Sequence, residues 1–208
     1  MAALEQFENL LTDRKRILGP DHPDILSTRG SIAVLTAESG QIETALEQFK
    51  SLLREQKRIL DPNHLQTLIT RGNIAAWTAE YGQFSAAVEQ SENLLDDQKR
   101  ILGPDHPDTL ITRGNIAIWA LNSGQIETAL EQFESLLRDQ KQILGPDHPD
   151  ILTTRYNIAY LLEETEQHDA SAQQLEKLLS DQNRILGPDH PDILATWNNI
   201  AAWNEEAE

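Results

Sequence analysis

The sequence predicts an all-α solenoid of antiparallel helix pairs, on three observations. First, the heptapeptide Leu-Gly-Pro-Asp-His-Pro-Asp begins at Leu18, Leu102, Leu144 and Leu186. A degenerate copy, Leu60-Asp61-Pro62-Asn63-His64-Leu65-Gln66, fills the gap, so a 42-residue period runs along the 208-residue chain. Second, residues 18–59 and 102–143 are identical at 31 of 42 positions, which marks them as duplicates. Third, each copy holds two amphipathic stretches parted by glycine and proline. A helical hairpin of this size cannot bury its apolar faces alone, so copies must stack into one continuous core.

The elements follow in order. A lone helix of the second type covers about 2–17. Pro23 then opens helix A, where its missing N–H is not needed, and Leu26, Ile32, Ala33 and Leu35 mix three- and four-residue spacings. Gly40, Gly82 and Gly124 stand where a helix stop is expected, because glycine reaches the left-handed conformation at no steric cost. From Ile42, helix B sets Ala45, Leu46, Phe49, Leu52, Leu53, Ile59 and Leu60 on one stripe opposite Glu43, Glu47, Lys50 and Arg54. Two prolines and a glycine in the connector end it. Full pairs are expected at 23–60, 65–102, 107–144 and 149–186, with a lone A-type helix at 191–206. All belong to a single array over 1–208.

Composition narrows the function. With 17 basic against 34 acidic side chains the net charge is −17, which argues against nucleic-acid and anionic-membrane partners, since both need clustered Lys and Arg. The absence of cysteine excludes disulfides, thiolate zinc sites and cysteine nucleophiles. No apolar run reaches the roughly 18 residues of a membrane span. The start, Met-Ala-Ala-Leu-Glu-Gln-Phe-Glu, lacks the pattern of a signal peptide, so a cytoplasmic location is expected. No phosphate loop, nucleophile elbow or paired-histidine metal helix is present, so no catalysis, cofactor or metal is expected. His22, His64, His106, His148 and His190 recur one repeat apart, too far to share an ion, and suit a role at helix starts.

The order Asn73-Ile74-Ala75, Gly82, Ala87 resembles the tetratricopeptide repeat. The 42-residue period and its connector resemble the long variant found in kinesin light chains and many bacterial repeat proteins. The resemblance spans the whole chain and implies a right-handed superhelix whose A helices line a concave, peptide-binding groove. The implied concave positions are those of Ile69, Gly72, Asn73, Ala76 and Glu80. The family often carries two adjacent asparagines; here the first is Gly30, Gly72, Gly114, Tyr156 and Asn198 in turn.

Comparing copies points the same way: of the 11 differences between 18–59 and 102–143, eight fall in helix A and three in helix B. Either helix A carries a binding face or its positions repack locally. Arg71, Arg113 and Arg155, with Arg29, form one row, and Asn73, Asn115, Asn157 and Asn199 another. Asn offers a donor and an acceptor to a peptide backbone, and Arg offers a fork to a carboxylate, so an acidic or C-terminal peptide is the expected ligand. The alternatives are ion pairing of each Arg within its own stack and interhelical bonding of each Asn. Tyr156 and Tyr160 would add an aromatic platform beside Ile118, or pack as core. A second expectation is a homo-oligomer: the first helix, with Leu4, Phe7 and Leu11, and the last, with Leu194, Ile200 and Trp203, are complementary halves of one unit that would join head to tail.

Overall fold

The structure, a computed structural model, describes residues 2–19 and 22–206, with side chains over 3–19 and 22–201. Ten helices are described: α1 (Ala2–Leu18), α2 (Pro23–Glu38), α3 (Ile42–Ile59), α4 (Leu65–Glu80), α5 (Phe84–Ile101), α6 (Pro107–Asn122), α7 (Ile126–Ile143), α8 (Pro149–Glu164), α9 (His168–Leu186) and α10 (Pro191–Glu206). They fall where the repeat pattern places them, A-type at the even numbers and B-type at the odd. No described helix is long and apolar enough to cross a membrane.

The connector histidines start the A helices. Nδ1 of His22, His64, His106 and His148 accepts the backbone N–H two residues on at 3.2 Å, and His190 does so at 3.3 Å. Each satisfies a donor that the first helical turn leaves orphaned, and an accepting Nδ1 leaves the ring proton on Nε2. At the other end of the A helices, Gly40, Gly82 and Gly124 take φ of 88°, 83° and 84°. The following glutamine then returns its N–H to the last turn, as from Gln41 to the Thr36 carbonyl at 3.2 Å. The fourth turn makes the same bonds through Glu166 at φ 59°, where a Cβ costs about 1 kcal/mol that glycine avoids.

Close approach within a pair is set by small residues. Ala33 and Ala45 are fully buried in one cluster with Leu46, Phe49 and Ile74, against which Trp77 packs. In the fourth pair Ser171 replaces the alanine of α3 and donates its hydroxyl to the Ala159 carbonyl at 2.8 Å, so the substitution leaves no buried donor unpaired. At three junctions a polar contact joins a B helix to the next A helix, whereas Oε1 of Gln56 and of Gln98, at the same register, is buried without a hydrogen-bond partner. Arg14 donates to Thr28 at 2.6 Å, and in later copies a glutamine stands in its place: Gln140 beside Thr154 at 2.8 Å, and Gln182 beside Thr196 at 2.9 Å.

The chain divides into two compact units, Met1–Thr112 and Arg113–Glu208. The sequence reads as one array without a boundary, and the division falls inside α6. The two units are described separately below.

Candidate functional site

One line of each A helix faces outward. In the first unit it runs through Ser27, Ser31, Val34 and Glu38 on α2, and Ile69, Asn73, Ala76 and Glu80 on α4, with Ile111 from α6. Ile69 and Ile111 are 50% and 58% exposed, unusually open for isoleucine on a folded surface. In the second unit it runs through Asn115, Ile118 and Asn122, then Thr153, Asn157, Tyr160 and Glu164. The spacing of four, three and four residues keeps each line on one face of its helix. Of the eight differences in helix A between the two compared copies, four (27, 31, 34 and 38) lie on this line. Three of the others, Ile25, Thr36 and Ala37, are buried, and Trp119, the counterpart of Leu35, is buried too. Variation between copies therefore has both origins, an outward face and local repacking.

Gly72 is not part of that line. A Cβ on Gly30, Gly72 or Gly114 would point at Leu52, Leu94 or Leu136 of the partner B helix, so this row faces the interior of the pair and not the groove.

The arginine row is closed. Arg71 donates to Asp97 at 2.6 Å and to the Asn93 carbonyl at 2.9 Å. Arg113 pairs with Asp139 at 2.7 Å and reaches Ser135 at 3.2 Å; Arg155 pairs with Asp181 at 2.6 Å; Arg29 pairs with Glu55. Every acid sits 26 residues on, in the second half of the partner B helix. The open forks that made an acidic or C-terminal ligand the expectation are therefore occupied from within.

The Arg71 guanidinium, aided by Arg100, holds the Asp97 carboxyl below the usual carboxylate range, and Arg155, aided by Arg184, does the same for Asp181. A depressed folded-state pKa stabilises the fold above the unfolded value, near 3.9, and that contribution is lost as pH falls through the lower folded value. Stability is expected to drop below about pH 4, and an Asp97→Asn, Asp181→Asn variant to show a shallower drop. Urea titrations at pH 7 and pH 3 measure the difference.

The asparagine row splits. Asn199 donates to the Tyr156 hydroxyl at 2.6 Å and is tied between α10 and α8. Among the described residues, Asn73, Asn115 and Asn157 have no side-chain hydrogen-bond partner, although each is half-buried on the outward line. Tyr160, half-buried, donates to Glu164, which pushes its phenol up. Ile118 is exposed. His168, at the start of α9, bonds Glu163 at 2.7 Å. Among the described residues, no three His, Asp or Glu side chains converge as metal ligands would.

The end residues also divide. Leu10 of the first helix is 39% exposed while its counterpart Leu52 is 1% exposed; Leu194 is 64% exposed against 3% for Leu152. Leu4, Phe7 and Leu11 are half-buried. Ile200 packs on the core of α8 and α9 with Leu152 and Leu175, so it is not free for a partner. The side chain of Trp203 lies outside the described residues.

Hairpins stacked through such periodic contacts define a helical repeat protein. The chain belongs to the tetratricopeptide repeat family: two family models for that repeat match it, one over 119–182 and the other over 2–24 and 67–108. Its fold is similar to the nearly identical TPR-like repeats of a kinesin light chain from Podosopora anserina, at 24% identity and TM-score 0.76 over 88% of this chain and 86% of that one. It is also similar to BtubC from P. vanneervenii, at 15% identity and TM-score 0.76 over 98% and 80%. Bacillus thuringiensis PlcR, solved in complex with the peptide PapR7 and DNA, matches at 18% identity and TM-score 0.67 over 97% and 68%. No curated protein matches the chain in sequence.

Proposed function

We propose that the chain is a non-catalytic scaffold that binds an extended peptide or protein segment along the outward face of its A helices. The observation that carries this is the unpartnered amides, of Asn73 in the first unit and of Asn115 and Asn157 in the second. Each offers one acceptor and two donors, the complement of a peptide unit, and the exposed Ile69 or Ile118 beside them offers apolar contact for side chains. A neighbour of the same fold was solved with a peptide bound, which supports the reading. A cytoplasmic location is part of it. The net charge of −17 disfavours nucleic acid as the partner.

Selection from a random twelve-residue peptide library tests the proposal. Peptides retained by the wild type are expected to be lost from an Asn73→Ala, Asn115→Ala, Asn157→Ala variant of unchanged helicity. Equal retention by the variant overturns it.

A second reading rests on Leu10 and Leu194, whose counterparts within the array are buried. A polypeptide of these 208 residues is then expected to self-associate, the α10 face of one copy covering the α1 face of the next. Light scattering should give a mass that rises with concentration and returns toward 23.4 kDa in Leu194→Glu. A constant monomer mass for the wild type removes this reading.

A further inference from the structure

In the second unit a cavity of 190 Å³ opens between α8 and α10 over α9, lined by Leu152, Thr153, Tyr156, Gln182, Asp192 and Ala195. That is the share of about six water molecules, enough for one long side chain. Thr196 Oγ1 donates to Oε1 of Gln182 at 2.9 Å and also lies 2.9 Å from the Asp192 carbonyl.

The Gln182 side chain, 2% exposed, lines the cavity with its oxygen already taken by Thr196. Around it stand the Asp192 carboxylate, the Thr153 hydroxyl and the ring of Tyr156, held by Asn199. The charged group among them is a carboxylate, and it stands beside a π face. The wider charge agrees. Over 149–164 and 191–206 the one cation is Arg155, already closed on Asp181, against acids that include Asp150, Glu164 and Asp192. Tyr156, Thr153 and Asp192 coincide only here, since the corresponding trios are Gly30, Ser27 and Gln66, then Gly72, Ile69 and Asp108, then Gly114, Ile111 and Asp150.

We infer that this cavity receives a basic side chain of the bound segment, arginine before lysine. A planar guanidinium stacks on Tyr156 while its N–H groups reach Asp192 and Thr153; an ammonium offers fewer donors and a poorer stack. The inference rests on the peptide-binding reading and gives its ligand a charge opposite to that suggested by the arginine row.

The test is NMR titration of the 208-residue chain with N-acetyl-arginine amide, and with the glutamate and norleucine amides as counterparts. The arginine probe is expected to shift signals of Tyr156, Thr153 and Asp192, to weaken as salt is raised, and to bind about tenfold less well to Asp192→Asn. Tyr156→Phe is expected to retain binding and Tyr156→Leu to lose it. Equal shifts from the norleucine probe, or unchanged affinity in Asp192→Asn, overturn the inference. Library peptides that need the asparagine row but carry no Arg or Lys would overturn it alone. Arginine binding with no peptide dependent on that row would instead overturn the scaffold reading.

Discussion

Replacing Gly30, Gly72 and Gly114 together by alanine is expected to stabilise the chain by about 2–3 kcal/mol. Each glycine lies inside an A helix and none has a positive φ. Glycine there costs about 0.8–1.0 kcal/mol relative to alanine, because the unfolded chain has more freedom to lose. Nothing repels the added methyl: its nearest neighbours are Leu52 Cδ2 at 3.6 Å and Leu94 and Leu136 Cδ2 at 3.7 Å, ordinary contact distances. Tyr156 and Asn198 already fill the position in later copies. Thermal melting followed by helical circular dichroism should show a gain of about 5–10 °C. A loss would mean that the pairs close more tightly than these distances allow.

Phe49→Ala is expected to destabilise by about 3–5 kcal/mol, the usual cost of emptying a fully buried aromatic site. The ring is inaccessible to solvent and belongs to a cluster that includes Ile74 and is flanked by Trp77, both from the next A helix. Its loss therefore loosens a junction between pairs as well as the pair itself. Phe7, at the same register of α1 but half-buried, is the internal control, and Phe7→Ala should cost less than half as much. Urea unfolding of the two variants measures the ratio; equal costs would refute the assignment of Phe49 to the junction core.

Much of the architecture was legible because its punctuation is chemical and local. Proline after the connector histidine, glycine after each A helix and a single apolar stripe on each B helix need no tertiary knowledge to interpret, and all ten helices lie where they point. Of the proposed binding face, the asparagines at 73, 115 and 157 are the part that the sequence alone singles out and that the structure leaves without hydrogen-bond partners among the described residues. The arginines misdirect, because a guanidinium looks the same in sequence whether open or paired, and 34 acids offered too many partners. A signal was present: an acid recurs 26 residues after every such arginine, as Glu55, Asp97, Asp139 and Asp181, even though its chain length varies. The Asn199 bond to Tyr156 carried no such signal, since Tyr156 occurs once and its orientation depends on a neighbouring helix.

The hydrogen bonds that join one helix to another have a common reach. Thr154 to Gln140 spans 14 residues, Arg71 to Asp97 spans 26, Arg184 to Asp147 spans 37, and the longest among the described residues, Asn199 to Tyr156, spans 43, one period and one residue. Loops this short close at low entropic cost, so a pair and the neighbour it needs come together from adjacent stretches of chain. A ribosome releasing the chain would supply the partners of each junction with every further 42 residues synthesised.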